Sequence, residues 1–227
     1  MLVARDLELL AARLADALPT LDVGEQEVAI TLVRLLSEGE PVPVSRLAAA
    51  AGQPADALEE QLTRLSGLLF RDDLGRAIGF IGLSVIEMGT HRVHVDGRAL
   101  SAWCAWDTLF LPELLGRTVG VTSRCPITGE EISLTVGPVG VTDLRPAETV
   151  VSFLVPDGPL GDDVIRSFCH FVHFFATEQA GRQWTNAHDG AFLLSVADAY
   201  RLGRSTNRAT FGVALATGPL GRADVRA

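Results

Sequence analysis

The sequence predicts an α+β protein: a helical, winged-helix-like N-terminal module over residues 1–82, followed by a mixed α/β domain with a central β-sheet over residues 83–227. Three observations predict it. Leucines recur at helical spacing through residues 2–65, β-branched runs broken by Gly, Pro and Thr fill the middle of the chain, and strand-like and helix-like segments alternate over the last third. A length of 227 residues fits one small module joined to one larger one.

The elements follow in order. Residues 2–18 carry Leu7, Leu10, Leu14 and Leu18 on one helical stripe, and residues 22–37 carry Val28, Leu32, Leu35 and Leu36. Ser45 is a good N-cap for a third helix that stops at Gly52, and Pro54 opens a fourth that runs to Leu65, the spacing of a helix-turn-helix. A hairpin is expected from residues 68–71 and 77–81 around Asp72-Asp73-Leu74-Gly75. Such a module reads either as a DNA-binding unit or as a packing unit. Its fourth helix sets Asp56, Glu59 and Glu60 against the single Arg64, which repels phosphate, so packing is the expectation.

Further on, residues 84–88 and 92–95 read as strands leading to a turn at Asp96-Gly97, and residues 98–115 as a helix closed by Gly116. Residues 119–123, 132–136 and 150–155 read as strands. The last third is expected to alternate strand 170–176, helix 178–188, strand 192–196 and helix 198–207, with a tail that frays from Gly218.

Composition excludes several classes. With 48% apolar and 21% charged residues the chain is globular rather than disordered. Asp and Glu outnumber Lys and Arg by 28 to 19, a net charge of −9 with no basic tract, so no nucleic-acid partner is expected. The longest uncharged apolar run, residues 77–86, is far short of the ~20 needed to span a bilayer, and Arg5, Asp6, Glu8 and Arg13 interrupt the first apolar stretch, unlike a signal peptide. The three widely spaced cysteines do not form a disulfide framework. A cytoplasmic protein with free thiols and no membrane partner is expected.

On the expected helix 98–115, Cys104 and Asp107 are three apart and share a face, which places a thiol beside a carboxyl. By spacing alone the pair reads sooner as a buried small hydrophobe next to a surface acid. Ala102-Trp103-Cys104-Ala105-Trp106-Asp107-Thr108-Leu109, together with Ser167-Phe168-Cys169-His170-Phe171-Val172-His173-Phe174-Phe175, resembles the organomercurial (alkylmercury) lyases. The resemblance extends through Gly116-Arg117-Thr118, Ser123-Arg124-Cys125, Thr128-Gly129 and residues 132–136. It implies that Cys104, Asp107 and Cys169 converge around mercury as the catalytic and metal-binding residues. It further implies an organomercurial substrate, Hg(II) held as product, no required cofactor, external thiols as co-reactants, and a mercuric reductase or cellular thiols as acceptors of the ion. Where family members can carry two adjacent cysteines, this chain has Cys169-His170.

The chemistry explains those residue types. Mercury(II) is soft and favours two thiolates. A carbanion is too basic to depart without a proton, and a positioned carboxyl such as Asp107 can take one from a thiol and return it to carbon. Trp103, Trp106 and Phe168 either desolvate Asp107 and raise its proton affinity or simply fill the core. Cys125, in a turn-like Ser-Arg-Cys-Pro-Ile-Thr-Gly segment, reads as structural. His170 and His173, three apart on the expected strand, point to opposite faces, and a zinc site of Cys104, Cys169 and His173 is the competing ligand set. The competing function is a soft-metal sensor or carrier that uses the same thiols without catalysis; a drifted substrate is a third reading.

Overall fold

The computed structural model describes residues 4–160 and 163–217, and the expected frayed tail from Gly218 lies outside the described residues. The helical start is as the leucines require. Helix α1 (Ala4–Ala17) buries Leu7, Leu10 and Leu14. Helix α2 (Val23–Leu36) opens on a capping box, in which Asp22 Oδ1 accepts the Glu25 N–H and Glu25 Oε2 accepts the Asp22 N–H, each at 2.9 Å. Helices α3 (Val44–Ala51) and α4 (Ala55–Arg64) follow. Each is preceded by a proline: Pro43, not Ser45, holds the capping position of α3, so that helix is capped two residues earlier than expected, and no side chain caps it. Gly52, in the left-handed region at φ +65°, ends it.

Strands β1 (Leu69–Arg71) and β2 (Ala77–Phe80) form the expected hairpin. It continues directly into the rest of the molecule. Strands β3 (Leu83–Ser84), β4 (Arg92–Val95), β5 (Arg98–Ala102), β6 (Val119–Arg124), β7 (Glu131–Gly137) and β8 (Gly140–Arg145) complete an eight-stranded antiparallel sheet in the order β1-β2-β3-β5-β4-β6-β7-β8. One apolar core, from Leu7 to Ala214, underlies both halves of the chain.

The largest departure from expectation lies at residues 98–115. The first five form strand β5, and only α5 (Asp107–Leu115) is helical. Asp96 (φ +48°) and Gly97 (φ +81°) make the two-residue turn of a β4–β5 hairpin, a geometry that returns the chain as a strand and not as a helix. The expected strand 84–88 shrinks to Leu83–Ser84, and β8, unforeseen, pairs with β7.

A second, three-stranded sheet, β10-β9-β11, is built from β9 (Val150–Phe153), β10 (Phe174–Phe175) and β11 (Phe192–Ser195). The expected strand 170–176 is replaced over Cys169–Phe171 by a 3₁₀ turn, closed by Phe171 N–H to Phe168 O at 3.0 Å. A short α6 (Val164–Ser167) precedes it, and α7 (Glu178–Thr185) ends earlier than expected. Helix α8 (Val196–Thr217) is twice the expected length. It packs on α1 and α5, and Gly203 permits the approach: a Cβ there would lie 2.8 Å from Phe110 Cβ.

Helix α4 is acidic as expected, and the nearby cations are already engaged. Arg64 pairs with Glu25, and Arg71 with Glu59 at 2.8 Å. The full chain should therefore give no shift of duplex DNA at physiological salt. A sequence-specific gel shift at nanomolar protein would reverse that reading.

Candidate active site

Cys104 lies in the turn between β5 and α5, not on a helix, and Asp107 is the first residue of α5. The shared helical face expected from their spacing does not exist, yet the two still meet. Asp107 turns back on the preceding turn, and its Oδ2 accepts the Cys104 N–H at 2.6 Å. The turn is fixed by Thr108 Oγ1 donating to Ala105 O at 2.7 Å and by the Trp106 indole donating to Ala199 O of α8 at 3.1 Å.

Cys169 arrives from the other side. The Ala105 N–H donates to Val172 O at 3.1 Å, while the Val172 N–H donates to Cys169 O at 3.1 Å, so the 3₁₀ turn is laid against the Cys104 turn. Ser152 of β9 anchors the same segment through Phe171 O at 2.6 Å and the His173 N–H at 3.0 Å. As a result the two sulfurs and an Asp107 carboxylate oxygen all lie within 4.8 Å of one another, and all three residues are buried. His173 is not in that cluster: its Nε2 bonds His170 O at 2.8 Å, so the Cys104–Cys169–His173 zinc set is not assembled. His170 and His173 do not point to opposite faces either; both line one cleft beside Cys169, because the 3₁₀ turn replaces the strand's alternation.

Burial sets the electrostatics. A helix N-terminus favours a carboxylate by about 0.3–1 kcal/mol, and hydrogen bonds from the Cys104 thiol and the Cys104 and Trp103 N–H groups also favour charge on Asp107. Desolvation outweighs them all, and Asp107 is pushed up from 3.8 to about 7. Burial likewise pushes the Cys104 thiol well above its ordinary range, reinforced by its hydrogen bond to Cys169 and by the Asp107 charge. The hydrogen bond from Cys104 holds Cys169 down, but burial and the Asp107 charge raise it overall. At neutral pH both thiols keep their protons, beside a carboxyl poised to exchange one.

Sequence reasoning missed the wall behind Asp107. Ile81 (φ +43°) and Gly82 (φ +86°) form the two-residue turn joining β2 to β3, and a Cβ on Gly82 would lie 2.5 Å from Asp107 Cγ. The clue was a glycine between two apolar runs, Ile-Gly-Phe and Leu-Ser-Val, which permits a hairpin but does not say what it faces. Gly82→Ala is expected to displace the carboxyl and lower turnover by about 10²-fold, the cost of an ångström-scale misplacement. A folded Gly82→Ala protein with wild-type turnover would contradict that role.

Asp107 and Cys169 open onto a narrow apolar cavity of about 50 Å³ whose walls include Leu14 and Leu18 near the N-terminus, Trp103, Trp106, Phe110, Phe168 and Phe211. The three aromatics read as neighbours of Asp107 are thus there. Trp106 packs edge-on against Phe110, Phe153 and Phe168 at 4.9, 5.4 and 6.0 Å between ring centroids. Cys104, wholly buried, lines neither this cavity nor the larger cleft on the other side of Cys169.

Two buried thiols suit a soft metal ion, and beside them a protonatable carboxyl borders an apolar cavity. Residues 87–207 match the family profile described as alkylmercury lyase, and residues 9–81 match the helix-turn-helix domain of alkylmercury lyase. The alkylmercury lyase of Staphylococcus epidermidis is 42% identical over 173 residues, 76% of this chain and 78% of that protein. That of Streptomyces lividans is 43% identical over 178 residues, 78% and 80% of the two chains. The fold is shared with a solved structure, the mercury-bound form of MerB2, at a TM-score of 0.72 and 24% identity, over 91% of this chain and 99% of that one. The chain belongs to the alkylmercury lyase family, a family of enzymes.

Proposed function

We propose that this protein is an organomercurial lyase that splits R–Hg⁺ into a hydrocarbon and Hg(II) as a detoxification step. The observation that carries the reading is the contact of one buried, protonatable carboxyl with two buried thiols. A sensor or carrier that only ligates a soft metal has use for the thiols and none for the proton.

The steps balance with these residues and external thiols. R–Hg⁺ arrives as an adduct of an external thiol, and Cys169, which lines both openings, exchanges with that thiol; its proton leaves on the departing sulfur. Cys104 then passes its proton to Asp107 and binds mercury as the second thiolate, which loads electron density onto the metal and weakens its bond to carbon. Protonated Asp107 delivers that proton to the carbon as the bond breaks, and the hydrocarbon departs. Hg(II) stays on Cys104 and Cys169 until external thiols, cellular thiols or a mercuric reductase take it. The scheme calls on no cofactor. The apolar cavity holds the organic group, and its apolar lining strengthens the electrostatics of the transfer.

Among the described residues no helix is long and apolar enough to cross a membrane. The test is to incubate the purified full chain with an organomercurial and excess thiol. Hydrocarbon and Hg(II) released in equal amounts support the lyase; a stable adduct with the organic group intact supports the sensor.

A further inference from the structure

Cys169 and Trp103 line two spaces at once. On one side is the apolar cavity with Asp107; on the other is a cleft of about 410 Å³ that Asp107 does not reach. The walls of the cleft gather soft donors from three separate parts of the chain: Met88 and His91, Cys125, and Cys169 with His170 and His173. No carboxylate lines it. A hard cation has nothing to bind there, whereas a thiophilic one meets two thiols, a thioether and imidazoles.

Two of the donors are held in place by hydrogen bonds. Cys125 begins a tight turn whose ends are tied by the Cys125 N–H to Glu130 O and the Gly129 N–H to Cys125 O, each at 2.9 Å. His91 is buried with its Nδ1 on Ser123 Oγ at 2.8 Å, and burial, with His173 and Arg92 nearby, lowers it to about 3, so its imidazole stays neutral. In the wall common to both spaces, the buried indole N–H of Trp103 has no hydrogen-bond partner within the protein. Cys125 also differs from the other two thiols in kind. Burial pushes it up, but hydrogen bonds from the Thr128 hydroxyl and from the N–H groups of Ala176, Thr128 and Ile127 outweigh that and hold it below its ordinary range.

The geometry points to this cleft as the exit chamber for the mercuric product, with Cys125 as the sulfur ligand that draws Hg(II) out of the catalytic pair. The inference rests on the lyase reading and adds a route to it. After hydrocarbon release, Cys125 attacks the mercury, the Cys104–mercury bond breaks, and the ion is shared by Cys169 and Cys125 at the cleft. Two external thiols entering the open side then replace those sulfurs in turn. The Cys125 proton passes to Cys104 as its bond to mercury breaks, the two protons of the external thiols end on Cys125 and Cys169, and no oxidation state changes.

The test separates the two steps in the full-length protein. One equivalent of methylmercury is turned over once, and methane formation and transfer of Hg(II) to glutathione are timed separately in the wild type, Cys125→Ala and Thr128→Val. The readout is the ratio of the methane rate to the transfer rate. It is expected to rise at least tenfold in Cys125→Ala and by a smaller factor in Thr128→Val, where Cys125 remains but loses the hydroxyl that donates to its sulfur. A structural disturbance slows both steps and leaves the ratio in place. Thr128 is exposed, so its variant remains informative if Cys125→Ala does not fold. A wild-type ratio in the folded variants overturns the exit route while leaving the lyase intact; no methane from the wild type overturns the lyase reading itself.

Discussion

Replacing either catalytic thiol by serine is expected to reduce hydrocarbon release to the uncatalysed background, because a hydroxyl is a hard, weakly acidic substitute for the thiolate that mercury requires. The two variants should fail differently. Cys169 lines both openings and Cys104 neither, so Cys104→Ser should still capture R–Hg⁺ on Cys169 with its organic group intact. Cys169→Ser should lose capture at the site as well. Intact mass of each variant after loading, with the adduct located by peptide mapping, checks this. Turnover by Cys169→Ser at the wild-type rate would refute the two-thiolate scheme.

The second large effect is at Asp107. Asp107→Asn keeps the carboxylate's shape but cannot relay a proton, so mercury capture should survive while turnover falls by about 10²- to 10⁴-fold, or about 3–5 kcal/mol of barrier. The same substitution should stabilise the unliganded fold. The wild-type carboxyl is raised from 3.8 to about 7 by burial, which corresponds to about 4 kcal/mol against its charged form once both folded and unfolded states are ionised. The folded state therefore holds the proton over a window where the unfolded chain has released it, and wild-type stability should fall as pH rises from about 4 to about 7. Asp107→Asn should lack that slope and equal or exceed the wild type above pH 7. Thermal unfolding of both proteins across that range decides it; parallel curves would mean that Asp107 titrates as an ordinary carboxyl.

Much of this was legible in the sequence, for reasons that differ by element. The leucines of α1 and α2 write a one-sided stripe, and β6, β7 and β9 are β-branched runs between turn residues, so local pattern suffices. The flanks of Cys104 and Cys169 pointed to the trio, and the structure brings the three together. Residues 98–115 are apolar nearly throughout: their C-terminal half is buried on every side, so the pattern has no period to read, and the signal that sends the first five residues into the sheet is the two-residue Asp96-Gly97 turn alone. The 3₁₀ turn at Cys169 is held by Ser152 and Ala105, contacts across long stretches of chain that no local pattern records. Gly82 against Asp107 is of the same kind.

The central claim is that an acidic proton held at this site is delivered to the carbon bound to mercury. Turnover of methylmercury by the full chain in D₂O with excess thiol tests it most directly, because the Asp107 carboxyl and the thiols exchange with solvent while the methyl hydrogens do not. The account predicts methane carrying a single deuterium, one Hg(II) per methane, and loss of both with Asp107→Asn. Methylmercury recovered intact on the protein, or methane without deuterium, would contradict it.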